Sequence, residues 1–178
     1  MKQIIKTDLY RYKQHTSILK GLLIPGFRYT YFLRKASQYK KLSVLGLLYR
    51  FIHRRLGYKF GFQIPPNTKI GKGLFLGHFG TVVINEQVTI GNYCNIAHTV
   101  TIGRASRGKL QGSPTIGNQV WIGTGAVIVG KISIGSDVII APNAYVNMNI
   151  PEHSIVIGNP AKIIKKDNPT KGYINHIL

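Results

Sequence analysis

Acidic side chains are scarce in this chain: 5 aspartates and glutamates stand against 24 lysines and arginines in 178 residues, a formal net charge of +19. Of the basic residues, 14 precede residue 61, where Asp8 is their only acidic counterpart. Such asymmetry implies an anionic partner: nucleic acid, a membrane surface or a phosphorylated ligand. Cysteine occurs once, as Cys94, which excludes an internal disulfide and a zinc-type cysteine cluster and fits a reducing compartment. Apolar runs are short. The longest, around Gly21 to Phe27 and Leu42 to Tyr49, fall far below the roughly 20 residues a bilayer-spanning helix needs. No apolar core with a small-residue cleavage site follows Met1, so no signal peptide is expected.

What the chain has in abundance is a period of six. From Ile116 the units read IGNQVW, IGTGAV, IVGKIS, IGSDVI, IAPNAY and VNMNIP. An aliphatic residue opens each one (Ile116, Ile122, Ile128, Ile134, Ile140, Val146), and the fifth position is apolar as well (Val120, Ala126, Ile132, Val138, Ala144, Ile150). Upstream, Ile64, Ile70, Leu76 and Val82 keep the same spacing, and so do Ile84, Ile90, Ile96 and Ile102. Two extra residues therefore enter near Val82 to Ile84. Residues 103–115, rich in Gly, Ser, Arg and Lys, interrupt the pattern as a loop.

In a short strand side chains alternate, so the first and fifth positions of a unit can both face inward. Gly, Asn and Pro at the remaining positions turn a corner. Three sides close a triangular coil of about 18 residues, and coils stack at about 4.8 Å because one coil alone cannot bury its apolar face. An all-β sandwich, whose turns recur every 8–12 residues or so, fits a strict period of six poorly. The expected fold is mainly β, a parallel β-helix over 61–164 with the loop 103–115. Before it, residues 1–60 read as a basic amphipathic helical segment. Leu42, Leu45, Leu48, Phe51, Ile52 and Leu56 recur at helical spacing beside Arg50, Arg54 and Arg55, and Pro25-Gly26 breaks the earlier stretch Ile18 to Leu33. Two or three helices capping the first coil are expected. After Ile157-Gly158-Asn159-Pro160-Ala161 the chain is expected to turn away into a C-terminal tail, 165–178.

These hexapeptide units, with GNPAKII after a Pro-containing turn, resemble the acetyltransferases with left-handed β-helices. The run from Ile70 to Ile164, carrying IGKGLFLGHFGTVVINEQVTIGNYCNI and TIGNQVWIGTGAVIVGKISIG, is most similar to their serine acetyltransferase branch. The resemblance implies a left-handed coil, acetyl-CoA as co-substrate, no metal, a homotrimer and direct acyl transfer to a hydroxyl. It also implies that His78 is the general base. At three positions the sequence departs from the serine enzymes: Gln63 stands where the aspartate paired with that histidine would be, Gly77 replaces an adjacent aspartate, and Ser113 replaces a second histidine. Together with the short basic N-terminal segment, these departures make the layout resemble the polysaccharide O-acetyltransferases. The expected acceptor is therefore a sugar or surface polysaccharide, with serine and a non-catalytic nucleic-acid-binding role as alternatives. The expected location is cytoplasmic, with a peripheral contact at the inner, anionic membrane face.

Acetyl transfer needs a base for the hydroxyl proton, a donor for the thioester oxyanion and alignment of the two substrates. His78, third in its unit, is expected on an outer corner between Gly77 and Gly80, with room for substrate; the plain alternative is an incidental surface histidine. His98, also third in its unit, is expected to stack on the same corner and to orient His78 or bind the acceptor, or to be an ordinary corner residue. Gln63 and Ser113 are further candidates for the acceptor side. By resemblance Gly103, Arg104, Gly123, Thr124, Ala141, Pro142 and Lys162 would meet CoA, the cations taking its phosphates. Cys94 is expected in the core, and Trp121 outside, stacked or at a subunit contact. The six histidines do not show the spacing of the γ-class carbonic anhydrases, so metal binding is not expected.

Overall fold

The computed structural model describes all 178 residues. Four helices come first: α1 (Lys2–Tyr10), α2 (Ile18–Gly21), α3 (Pro25–Gln38) and α4 (Val44–Phe60). Pro25 sits in the first turn of α3, where its missing N–H costs nothing. Ser43 caps α4 by accepting from the Gly46 amide at 3.1 Å, and Gly61, in the left-handed region at φ 78°, ends it.

Three parallel sheets follow, one per side of a triangular prism of about five turns. The first contains β1 (Phe62–Gln63), β4 (Val82–Ile84), β7 (Val100–Gly103), β10 (Val127–Val129) and β13 (Tyr145–Val146). The second contains β2 (Lys69–Ile70), β5 (Thr89–Ile90), β8 (Thr115–Ile116) and β11 (Ser133–Ile134). The third contains β3 (Phe75–Leu76), β6 (Asn95–Ile96), β9 (Val120–Ile122), β12 (Val138–Ile140) and β14 (Ser154–Ile157), closed by β15 (Lys162–Lys165), which pairs antiparallel. The fold is a left-handed parallel β-helix of the hexapeptide type. The aliphatic first positions form one buried ladder, with Leu76, Ile96, Ile122 and Ile140 in register and each at most 1% exposed. Burying each such side chain contributes about 1.5–3 kcal/mol. Cys94 lies fully inside, and burial pushes its thiol up to about 12.

The two extra residues lie elsewhere than expected. Leu76 pairs with Ile96, twenty residues on, while Val82 pairs with Val100, eighteen on. The insertion is therefore in the corner between Leu76 and Val82, not at Val82 to Ile84. Strand pairing decides this, because the apolar spacing alone cannot show which of two adjacent corners is longer.

A solenoid end leaves strand edges unpaired. Here side chains from the helices and the turn after α1 close all three. Tyr29 Oη on α3 accepts from the Ile64 amide at 3.1 Å beside β1. Arg34 donates to the carbonyls of Ile70 at 2.6 Å and Gly71 at 2.5 Å beside β2. Asp8 accepts from the amides of Gly73 at 2.7 Å and Leu74 at 3.0 Å, and it pairs with Arg34 at 2.9 Å. Tyr12 Oη accepts from the Leu76 amide at 3.1 Å in β3. The only acidic residue of the first 60 is thus consumed internally.

The apolar stripe on α4 packs only in part. Ile52 and Leu56 are half-buried, Leu56 against the core of the coils, and His53 and Phe60 are buried beside them, whereas Leu45, Leu48 and Phe51, with Leu42 just ahead of the helix, remain exposed beside the arginines. No helix is long and apolar enough to cross a membrane. The C-terminal tail does not leave the body as expected. It runs back along the third sheet: Thr170 bonds Asp137, the Tyr173 ring meets Trp121 at 5.1 Å, and the Tyr173 carbonyl accepts from Asn95. The Asn175 carbonyl then accepts from Arg11 at 2.8 Å. Trp121 is therefore covered by the chain's own tail.

Candidate active site

His78 lies in the enlarged corner after β3, and His98 lies in the equivalent corner after β6. Each is two residues past a paired position, Leu76 and Ile96, so their side chains stack along one edge of the prism. The ring centroids are 5.7 Å apart and the planes nearly perpendicular. His78 is exposed and makes no hydrogen bond within the chain. His98 is half-buried, and its Nδ1 is buried without a partner. An imidazole nitrogen without a protein partner is free to bond a neighbouring ring or a ligand and to take part in proton transfer. Gly80 makes the stacking possible. Its φ is 133°, and a Cβ there would sit 3.1 Å from that of His98.

The same register continues upward along this edge. Ile122 and Ile140 follow Leu76 and Ile96 in the ladder, so Thr124 and Pro142 occupy the positions of the two histidines in later coils. Gly123 and Ala141 precede them, and a Cβ on Gly123 would strike Pro142 at 2.6 Å. His78, His98, Gly123, Thr124, Ala141 and Pro142 therefore share one edge, lined by small residues above the two rings.

The other candidates lie elsewhere in the single chain. Gln63, Gly103 and Arg104 line a different cleft of about 470 Å³ with Asn85 and Glu86. Ser113 belongs to the same region, donating to Asn85 Oδ1 at 3.2 Å. Lys162 begins the exposed closing strand. No hydrogen bond joins Gln63 to His78. The loop 103–115 folds as a small hairpin, closed by bridging between Ala105 and Gly112.

Beside Gly77 the structure opens a further cleft, of about 520 Å³, that the sequence reading did not anticipate. Arg11, Lys13, His15 and His176 line it, drawn from the two ends of the chain. The surplus of early basic residues was its only signal.

Residues 113–147 match the family described as Bacterial transferase hexapeptide (six repeats). The chain is 40% identical over 152 residues to a serine acetyltransferase of Helicobacter pylori, covering 82% of this chain and 85% of that one. It superposes on a crystal structure of serine acetyltransferase from Neisseria gonorrhoeae with a TM-score of 0.77 at 30% identity, covering 93% of this chain and 65% of that one. This chain therefore spans slightly less than two thirds of the Neisseria protein. A serine acetyltransferase of Brucella abortus strain S19 in complex with coenzyme A aligns with a TM-score of 0.79 at 27% identity, over 93% of this chain and 68% of that one. The Helicobacter relative is of similar length, so the short N-terminal segment does not separate this chain from the serine enzymes, as the sequence reading supposed. With that identity spread over most of both chains, this protein belongs to the serine acetyltransferase family of hexapeptide-repeat, acetyl-CoA-dependent acyltransferases.

Proposed function

We propose that this chain is a serine O-acetyltransferase that moves the acetyl group of acetyl-CoA onto the hydroxyl of free serine. The observation that carries this reading is the 40% identity to a serine acetyltransferase of matching length. The open histidine edge supports it chemically. In this reading His78 takes the hydroxyl proton as the oxygen attacks the thioester carbon. The C–S bond breaks, the C–O bond forms, and the proton passes to the departing thiolate, giving free CoA and the acetyl ester. His98, whose ring stands 5.7 Å away, acts as a positioning residue for His78. CoA runs along the small-residue edge of Gly123, Thr124, Ala141 and Pro142. A homotrimer would set this edge against the Gln63, Ser113, Gly103 and Arg104 region of the next subunit, with Lys162 near the CoA phosphates. This assembly unites candidates that lie apart in one chain.

A second reading, transfer to a sugar hydroxyl, is favoured by one observation. Gln63, Gly77 and Ser113 are uncharged, so the groups that would hold a zwitterionic amino acid in the resembled enzymes are missing. Release of CoA thiol from acetyl-CoA, measured with serine and separately with phosphorylated and neutral sugars, decides between them. Saturable turnover with serine that exceeds every sugar upholds the first reading. Turnover with a sugar and none with serine overturns it. We further propose a cytoplasmic location, with the exposed apolar and basic face of α4 resting on an anionic membrane surface; the exposure of Leu45, Leu48 and Phe51 beside Arg54 and Arg55 supports this.

A further inference from the structure

A cleft of about 740 Å³ separates α4 from the start of the first sheet. It shares no residue with the cleft beside Gly77, which lies on the third sheet. One wall is a face of α4: Arg50, His53, Arg54, Gly57 and Tyr58, spaced three and four apart as neighbours on a helix are. The other wall is mostly apolar, formed by Phe62 of β1, the Pro65-Pro66 turn and Val83 of β4. The walls meet at Gly57, where a Cβ would sit 2.7 Å from the Phe62 carbonyl oxygen, so backbone contact sets their spacing.

The helical wall carries charge that the chain itself does not answer. Arg50 Nε is buried without a hydrogen-bond partner, and so is Nε2 of the buried His53. Arg54 donates through Nε to Tyr58 Oη at 3.0 Å, with its guanidinium 5.6 Å from that ring's centroid, a pose that leaves its terminal amino groups to a ligand. No acid lines the cleft, and no carboxylate lies within 4 Å of either arginine, because the two carboxylate pairs of the chain belong to Arg34 and His153. Glu86, in the adjoining cleft, pairs with neither. Burial, with the Arg50 charge beside it, keeps His53 neutral near pH 7, so the arginines alone bear the positive charge. Partly buried charge without a counter-ion is costly, and buried polar atoms ordinarily have partners. A bare ion would use only these cations. The facing prolines and the Tyr58 ring, 73% exposed, offer contact to an apolar or planar body as well. Exposed Leu47 and Phe51, each one helical turn from Arg50 or Arg54, extend that surface along α4. We propose that this cleft binds a phosphate ester carrying an apolar or planar body, with the phosphate on Arg50 and Arg54 and the body against Tyr58 and the Pro65-Pro66 turn. Two sources offer this chemistry, an anionic lipid and a soluble mononucleotide. The site is separate from acyl transfer and stands whichever acceptor the histidine edge serves.

Titration calorimetry on the full chain tests this with dihexanoyl phosphatidic acid, adenosine 5′-monophosphate and inorganic phosphate. At least one ester is expected to bind at least about 10-fold more tightly than inorganic phosphate, since each buried methylene alone is worth about 4-fold. Whichever ester binds the more tightly identifies the source. Arg54→Gln alters an exposed side chain outside the packed core and is expected to weaken that ester about 10-fold, the loss of one charge-assisted contact. Adding Arg50→Gln is expected to bring the loss to about 100-fold. Arg55→Gln removes the same charge from α4 outside the cleft, and at about 0.15 M salt it is expected to change affinity by less than about 2-fold. Gln63 borders both this cleft and that of Gly103 and Arg104, so the titration is repeated with saturating CoA, and unchanged affinity is expected. Displacement by CoA would assign the cleft to the transfer site and overturn the inference. Binding of neither ester, equal binding of inorganic phosphate, or equal affinities in Arg54→Gln and Arg55→Gln would overturn it too.

Discussion

His53 on α4 makes stability depend on pH in a way that can be worked from its surroundings. The residue is 7% exposed, its ring centroid lies 4.7 Å from that of Tyr29, and its Nε2 has no hydrogen-bond partner. Burial, assisted by the neighbouring Arg50 charge, pulls its pKa down to about 4 from the ordinary 6.5. Above pH 6.5 the imidazole is neutral in both folded and unfolded chains, and its contribution to stability is complete. As the pH falls below 6.5 the unfolded chain takes up a proton that the folded chain refuses, so stability declines until about pH 4, where the folded form is protonated too. At about 1.4 kcal/mol per pH unit the loss approaches about 3 kcal/mol. For a chain of this size that is a fall in Tm of roughly 6–12 °C from this residue. His53→Phe keeps a ring against Tyr29 and removes the titration. Calorimetric melting of both proteins between pH 7 and 4 should therefore show the native chain losing stability faster than the variant, with the divergence beginning near pH 6.5. Parallel decline of the two Tm curves would refute the reasoning.

Three further outcomes are expected. His78→Ala should lower kcat by about 10²- to 10⁴-fold in the thiol-release assay. Because the side chain is exposed and makes no bond, its Tm should stay within about 2 °C of the native value; turnover within about 10-fold of native removes His78 from the role of base. Asp8→Ala leaves Arg34 buried and unpaired and strips two strand-edge amides of their acceptor, so urea unfolding should show a loss of about 3–5 kcal/mol. Adding Arg34→Met should recover part of that loss, and a purely additive double variant would contradict the pairing. Flotation should recover the protein with anionic but not neutral vesicles, with less bound as salt shortens the roughly 10 Å screening length; Leu48→Asp with Phe51→Asp should abolish binding, and indifference of the native protein to anionic vesicles would show that the α4 face has another occupant.

The coil architecture was legible in the sequence because its determinants are local. A six-residue period dictates which side chains enter a three-sided core, and Ile64, Leu76, Cys94, Ile96 and Ile122 are buried as that period requires. The stacking of His78 on His98 was legible for the same reason, since both are third in their units. Three features were decided only by tertiary structure. The first is the enlarged corner, because the choice between Gly77–Thr81 and Val82–Ile84 depends on which strands pair. The second is the path of the tail, because nothing local in residues 165–178 encodes that Asp137, Trp121, Asn95 and Arg11 will line up along one sheet to receive it. The third is the cationic cleft beside Gly77. Arg11 and His176 are 165 residues apart in the chain, and only closure of the helical cap and the returning tail onto the first coil brings their charges to the side of the histidine edge.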